Sequence, residues 1–475
     1  MSDETLAARF ADLTPEAREF LRRRLASRRA ADGLAVPRRD PTRPVPVSFA
    51  QWRLWFLEQL RPGTNAWNTP VAARLTGPLD VAALHRALQL LVDRHATLRT
   101  VFRAHGGNPE PVAVEDARLD LGVLGGDSAR DFVEREVAQP FDLERDLMLR
   151  ARLLRLSADE HVLVLVAHHI ACDGWSKRLL LDELSTAYAA LARGEAPTLP
   201  ELPIEYADYA LWQRDRLSGE TLERLMTYWR QRLAAAPPAL ELPTDHPRPQ
   251  RQAFEGALHW LEVPADLARA AIALGRAERA TPFMTMLAAF KALLFARSGQ
   301  EDVLVGSPAA MRTHPELEPI VGLFANTLVY RTSLAGAPTF RQLLQRVRET
   351  AIGVYQHQDL PFEKIVEAAR PLRDPSRNPL VQVNMRVEGP EPRLALAGLQ
   401  AEPIEIDPGI ARFDLAIELA ATGDGFGGYL EYDAALFEPA TARAYADGFM
   451  AILREAVSAP DTPLTELGSV RAVRA

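Results

Sequence analysis

The sequence predicts an α/β protein built as two sandwich-like lobes, and three observations carry that reading. Its 475 residues exceed what one compact core normally organises, so two units of roughly 150–250 residues are expected. From Val47 onward, stretches with helical apolar spacing alternate with short apolar runs of strand length, the pattern of mixed sheets covered by helices. Between the halves, Gly194 to Pro203 (GEAPTLPELP) carries three prolines, which interrupt helices and ladders alike. The expected division is 1–45, 46–197 and 198–475.

The elements follow in order. Pro15 to Ala30 reads as a helix with Phe20, Leu21 and Leu25 on one side and arginines elsewhere; Pro37 to Pro46 reads as an extended Pro/Arg-rich linker. A solvated basic face is one explanation of that helix, and a docking segment for a partner chain is the other. Asp80 to Leu98 places Leu84, Leu88, Leu91 and Val92 on one helical face. Leu147–Leu156 and His161–Ile170 flank the polar tip Ser157–Glu160 as a hairpin, and Trp175–Leu191 is a second helix with Leu180, Leu184, Ala187 and Leu191 near one face. In the second half, helices are expected at Ala265–Glu278, Pro282–Arg297, Thr339–His357, Phe362–Ala369 and Pro439–Ala456. Strands are expected at Asp302–Ser307, Thr327–Thr332, Leu380–Val387, Phe413–Ala421 and Gly427–Tyr432, with Gly423, Asp424 and Gly425 turning the last pair. No short-period repeat is visible, which excludes solenoids and propellers.

Composition narrows the class. The chain is 47% hydrophobic and 25% charged, as expected of a soluble globular protein. A formal net charge of −8 supplies no basic field for nucleic acid. Cys172 is the single cysteine, so no intrachain disulfide forms and a reducing compartment fits. No apolar run approaches the roughly 18 residues that span a bilayer, and the opening MSDETLAARF lacks the cationic start and apolar core of a secretory signal. A cytoplasmic protein with no membrane or nucleic-acid partner is expected.

The chemistry-bearing segment is His168-His169-Ile170-Ala171-Cys172-Asp173-Gly174, which follows an apolar strand and precedes a helix. Such a strand–turn–helix delivers side chains to a sheet edge, where pockets form. Adjacent strand residues point to opposite sides, so one histidine at most faces a given pocket. A histidine there accepts a proton near neutral pH, as acyl transfer to an amine requires. Asp173 suits a pairing with a cation that pins a neighbouring loop, and Gly174 allows close ligand approach. The plainer alternative is a satisfied strand-end histidine. A metal pair lacks a third ligand at suitable spacing. Neither a GxSxG elbow nor a GxxxxGK[ST] loop is present, and Cys172 is a weak candidate nucleophile.

Seven ordered segments resemble the core motifs of condensation domains of nonribosomal peptide synthetases, part of the chloramphenicol acetyltransferase-like HHxxxDG acyltransferase superfamily. They are Ser48–Trp55 (SFAQWRLW), Arg94–Phe102 (RHATLRTVF), His168–Ser176 (HHIACDGWS), Tyr206–Trp212 (YADYALW), Val321–Arg331 (VGLFANTLVYR), His357–Glu363 (HQDLPFE) and Arg373–Leu380 (RDPSRNPL). The resemblance covers nearly everything after residue 45. It implies two chloramphenicol acetyltransferase-like α/β sandwich lobes in a V-shaped pseudo-dimer, with a central tunnel and the HHxxxDG motif at its midpoint. It implies amide formation between a carrier-bound acyl or peptidyl thioester and the amine of a carrier-bound aminoacyl group. RHATLRT, HHIACDGWS and HQDLPFE look closer to domains taking an L-configured donor. Donor and acceptor carrier proteins are the implied partners, with other synthetase subunits as candidates for the N-terminal segment. The 4'-phosphopantetheine arms belong to the carriers, the domain itself binding no cofactor or metal, and a monomer suffices.

By the same resemblance, His169 is the catalytic histidine, acting as a base or as a positioning group. Gly174 offers a backbone N–H to the developing oxyanion, and Asp173 is the structural aspartate with Arg312 as its ion-pair partner. His168, Trp175, Ser176 and Asn326 are support or tunnel residues; Arg53 and Arg99 read as structural. Several positions depart from the usual pattern: Trp52 in place of a polar residue, Ala96 for glutamate, Ala167 for methionine, Cys172 for serine, and Val383-Asn-Met-Arg386 in place of a more apolar strand. A free-standing amide or ester synthase using a diffusible amine or alcohol, which the natural-looking Met1 start keeps open, is the alternative. A noncatalytic recruitment module is the third reading, and the intact motif speaks against it.

Overall fold

The computed structural model describes residues 35–474 apart from Asp127 and Arg373. The helix expected at Pro15–Ala30 lies outside the described residues. The Pro/Arg-rich segment after it, expected to be extended, turns at 41–43, with Arg43 N–H on Asp40 O at 3.1 Å, and is tied down. Arg38 donates to Pro203 O at 2.7 Å, Arg39 pairs with Asp208 at 2.9 Å and Arg43 with Asp215 at 3.0 Å.

The first half runs α1 (Phe49–Leu60), β1 (Asn68–Thr76), α2 (Val81–Arg94), β2 (Thr100–His105), β3 (Asn108–Ala113), β4 (Leu121–Gly125), α3 (Ala129–Ala138), β5 (Leu149–Arg155), β6 (Glu160–His168) and α4 (Gly174–Ala192). Local chemistry fixes the helix starts: Ser48 and Gln51 cap α1 reciprocally, and the Asp80 and Asp173 carboxylates accept first-turn amides of α2 and α4. The apolar face read in Asp80–Leu98 is buried, but α2 ends at Arg94 and a short 3₁₀ turn, Ala96–Arg99, follows. Gly194, with φ at +76°, turns the chain out of α4.

The second half runs α5 (Tyr206–Arg216), α6 (Gly219–Arg232), β7 (Gly256–Val263), α7 (Ala265–Ala277), α8 (Pro282–Ser298), β8 (Asp302–Ala309), β9 (Asn326–Ser333), α9 (Phe340–Gln356), α10 (Phe362–Ala369), β10 (Val383–Glu388), β11 (Gln400–Pro403), β12 (Leu415–Thr422), β13 (Gly425–Asp433), α11 (Pro439–Ser458) and α12 (Gly468–Arg474). Helix α8 is buried on all sides from Met284 to Ala296, as a helix at the centre of a core must be apolar all round. Its lysine, Lys291, donates to Val303 O and Tyr330 O at 2.8 and 2.7 Å, so the buried amine is satisfied.

Two sheets organise the molecule. The first has the order β11-β1-β6-β5-β4 and the second β7-β13-β12-β10-β8-β9; β2 and β3 form a separate hairpin. Apolar cores cover both faces of the first sheet: Leu84, Leu88 and Leu184 belong to one and Trp55, Phe132 and Val164 to the other. The second sheet packs one face against α7, α8, α9 and α11 in the largest core. Its other face is polar and borders a cavity. The lobes also exchange chain. Strand β11 comes from the second half yet pairs with β1 of the first sheet, Ala73 opposite Pro403. Leu394, Leu396 and Val321 complete a core of the first lobe, so no single cut near residue 197 separates the two packing units. Strand β11, only four residues long, carries no alternation that sequence reading could catch.

Candidate active site

The HHxxxDG segment stands where β6 ends. Strand β6 pairs with β1 over its whole length and with β5 from His161 to Ala167, with His168 opposite Asn68. The pleat sends the two histidines to opposite sides, and their partners assign opposite tautomers. The His168 ring is buried, its Nδ1 accepting the Ile170 N–H at 3.1 Å, so its proton sits on Nε2, 3.3 Å from Glu58 Oε1 of α1. Burial pushes its pKa down despite Glu58. His168 does not face the cavity; it is a support.

His169 points the other way. Its Nδ1 lies 2.8 Å from Cys172 O; a carbonyl only accepts, so Nδ1 carries the proton and Nε2 presents a lone pair to the cavity that the residue lines. Enclosure by protein, and then the nearby Arg412 cation, lower its pKa to about 4. The imidazole is therefore neutral at ordinary pH.

Between the histidines and α4, the chain turns tightly, with Ala171 N–H on His168 O and Cys172 N–H on His169 O. Cys172 is buried and its thiol pKa is pushed up, by burial first and by Asp173 second. Burial and the raised pKa keep it as a neutral thiol in the core. Asp173 is also buried, and both its oxygens are saturated. Oδ1 accepts from Ser176 N–H (2.9 Å) and Arg312 Nη2 (3.2 Å); Oδ2 accepts from Arg312 Nη1 (3.0 Å), Phe324 N–H (3.0 Å) and Ala325 N–H (3.2 Å). Burial opposes its charge, but the Arg312 guanidinium and the Ser176 donors hold the carboxyl below its usual range. Ser176 Oγ lies 2.8 Å from Asp173 Oδ1 and accepts from Gly322 N–H at 3.0 Å. Arg312 lies 4.0 Å over the Phe324 ring. This network stitches the first lobe's motif to the Val321–Arg331 segment of the second.

The other expected residues join the same assembly. Asn326 is a clamp: its Nδ2 donates to Gln358 O and Leu360 O, and its Oδ1 accepts the Phe362 N–H. It thereby holds the HQDLPFE turn at the cavity. Trp175 is 41% exposed, with its indole N–H on Glu318 O at 2.9 Å, so it is fixed while lining the cavity. Gly174 opens α4. As first-turn groups, its amide and that of Trp175 have no intrahelical acceptor. Further out, Tyr206 donates to Leu323 O at 2.6 Å and lies 2.8 Å from Ser48 Oγ, joining three of the sequence segments. Gly322 makes room for that ring, since a Cβ there would stand 1.9 Å from it. Arg99 donates to Val114 O, a structural role. Arg53 lies 4.6 Å over Phe362 and also borders the cavity.

The cavity is continuous, measures 1790 Å³ and lies between the sheets, with β1 and the motif on one side. Opposite them, the pairing register aligns Arg386, Glu418, Tyr429 and Trp260 in one row across β10, β12, β13 and β7. Arg386 Nη2 lies 2.5 Å from Glu418 Oε2, and Tyr429 OH donates to that carboxylate at 2.8 Å. Glu431 accepts the Arg412 N–H at 3.1 Å, and burial, then Glu418, raise its pKa to about 7. The Arg412 side chain is anchored by Nε on Ala66 O at 2.9 Å. Sequence reading missed this wall. Arg386 shows there only as a polar departure in an apolar strand, and nothing local distinguishes Glu418, Tyr429 or Arg412. Among the described residues, no helix is long and apolar enough to cross a membrane and no group of three His, Cys, Asp or Glu could hold a metal ion.

A neutral histidine with a free Nε2, beside open helix-start amides in a large cavity, can accept a proton from an attacking nucleophile while an oxyanion is stabilised. The Condensation domain family model matches residues 42–474. A linear gramicidin synthase polypeptide of Brevibacillus parabrevis is 44% identical over 438 residues, 89% of this chain and 6% of that protein. Phosphinothricin tripeptide synthetase PhsC of Streptomyces viridochromogenes is 40% identical over 98% of this chain and 44% of its own length, so the chain spans a minor part of both relatives. The X-domain in its complex with OxyB from teicoplanin biosynthesis superposes with a TM-score of 0.84 at 30% identity, covering 92% of this chain and 98% of that one. With its two α/β lobes of the chloramphenicol acetyltransferase kind and its HHxxxDG turn between them, the chain belongs to the condensation-domain family of nonribosomal peptide synthetases.

Proposed function

We propose that the chain joins a carrier-bound acyl or peptidyl thioester, with an L-configured terminal residue, to the amine of a carrier-bound aminoacyl acceptor. The observation that carries this is the neutral His169, its Nδ1 proton held by Cys172 O and its ring lining a 1790 Å³ cavity between the sheets. The partners are two carrier proteins, and the phosphopantetheine travels with them. A pKa of about 4 makes His169 a poor acceptor for a resting ammonium proton. The amine therefore arrives neutral and donates a hydrogen bond to Nε2; the proton moves as the C–N bond forms and the nitrogen becomes acidic. Gly174 N–H faces the carbonyl oxygen. The thioester is already activated, so alignment of the two arms supplies much of the acceleration, up to about 7–11 kcal/mol in favourable cases.

A second reading, a recruitment module without turnover, draws support from the likeness to an X-domain caught in complex with OxyB. Mass-spectrometric transfer from acyl-loaded carriers, offered aminoacyl-loaded carriers and free amines or alcohols in parallel, separates the possibilities. Amide product on the second carrier is expected. Product on free acceptors alone would instead mark a stand-alone synthase. No transfer despite measurable carrier binding would favour recruitment.

A further inference from the structure

Resting on the amide-forming reading, we infer that Arg386 is a further catalytic group: its guanidinium and the Gly174 amide together bind the thioester carbonyl oxygen as it becomes an oxyanion. Strand β10 alternates Val383 and Met385 into the core of the second lobe with Asn384, Arg386 and Glu388 into the cavity. Packing does not call for a cation at the middle of that face. Arg386 nevertheless reaches across the cavity to the motif. A Cβ built on Gly174 would have Arg386 Nη1 at 3.8 Å, the nearest atom outside its chain neighbours and its own helix backbone. The Arg386 guanidinium therefore stands beside the start of α4, where a carbonyl oxygen held at the Gly174 amide would come within its reach.

The guanidinium is fixed in that pose. Glu418 holds Nη2 at 2.5 Å and is itself held by Tyr429. Among the described residues, Nη1 stands 3.7 Å from Glu388, beyond hydrogen-bond range, so its donors remain available. A planar cation anchored through one nitrogen and presenting the other suits a carbonyl oxygen that gains charge. It also stands on the opposite lobe from His169, so the substrate carbon lies between a proton acceptor and an oxyanion donor.

In the reacting complex, the neutral amine lone pair forms the C–N bond while the C=O π pair moves onto oxygen, between Gly174 N–H and Arg386 Nη1. The amine proton passes to His169 Nε2. The oxyanion then re-forms C=O, the C–S bond breaks, and the departing pantetheine thiolate takes the proton back from His169.

The test uses the full chain with an aminoacyl-loaded donor carrier and an aminoacyl-loaded acceptor carrier in single-turnover transfer. Arg386→Gln is expected to lower the rate constant at saturating carriers by about 10²–10³-fold, with half-saturation for either carrier within about threefold. Arg386→Lys keeps the charge but cannot serve Glu418 and the oxygen together, and a loss of about tenfold is expected. Thermal melting of both variants checks folding; should Arg386→Gln unfold, the lysine variant carries the test alone. A variant rate within about threefold of the unaltered protein, or a loss confined to half-saturation, overturns the inference and leaves the amide-forming reading standing. No amide from the unaltered protein removes both.

Discussion

The two walls of the cavity are built on opposite plans. On the first lobe, most of the turn from His168 to Ser176 is buried around a fully paired Asp173, and only His169 and the start of α4 face the cavity. Asp173 accepts from Arg312, Ser176, Phe324 and Ala325. On the second lobe, Arg386, Glu418 and Tyr429 lie in one row facing the cavity, with Glu431 two residues further along β13. A satisfied buried network has one low-energy arrangement, so it fixes His169 and the helix-start amides. On the second wall, Glu418 and Tyr429 anchor Arg386 through Nη2 and leave Nη1 towards the cavity. The contrast assigns the proton acceptor to one wall and a held cation for transition-state charge to the other.

The strongest way to break this division is His169→Ala. The side chain touches few structural partners beyond Cys172 O, so the variant is expected to fold normally and to lose about 10²–10⁴ in turnover. A folded variant with full activity would remove the proton-accepting role. In the unaltered protein, the lowered pKa of about 4 fixes the sign of the pH response. Nε2 stays unprotonated at neutral pH and is lost only as pH falls through that value, so the rate at saturating neutral amine should hold down to about pH 5. An acid limb near 6.5 would mean that Arg412 and burial do not act on the ring as described.

The next largest effect is expected at the hub of the fixed wall. Asp173→Ala strands the buried Arg312 guanidinium and frees the Phe324 and Ala325 amides. Losing one member of such a pair costs on the order of 3–5 kcal/mol, measurable by denaturant unfolding. A loss below about 1 kcal/mol would place this turn with ordinary surface ion pairs. The smallest effect is expected on the charged wall. Tyr429→Phe removes one hydrogen bond to Glu418, worth about 0.5–1.5 kcal/mol. It should leave the melting temperature nearly unchanged and lower turnover several-fold by loosening Arg386. A stability loss rivalling that of Asp173→Ala would erase the contrast between the walls.

Much of this molecule is legible from local rules. The hairpin of β5 and β6, the helices α4, α8, α9 and α10, and the β12–β13 turn at Gly423 and Asp424 follow from periodicity, caps and turn residues close to where they stand. The opposed histidines follow from the pleat alone. The resemblance brought Arg312 to Asp173 from 139 residues away, a pairing that neither segment announces by itself. Harder cases share one property: their signal is not in their own neighbourhood. Strand β11 is a strand because β1 offers it an edge. Arg386, Glu418, Tyr429 and Trp260 form a row only through the register of four strands taken from 260 to 429.

The α/β class, most element positions, the chemistry-bearing turn and the choice of histidine as candidate for catalysis are all set along the chain. They depend on side-chain alternation, backbone propensity and capping, interactions that span a few residues. Four properties had to wait for the folded molecule: the tautomer of His169, the extent to which its pKa falls, the strand exchanged between the lobes, and the guanidinium that faces Gly174. Those properties depend on burial and on charges brought together across the two sheets, and burial and Coulomb energy are set by distance in space rather than along the chain.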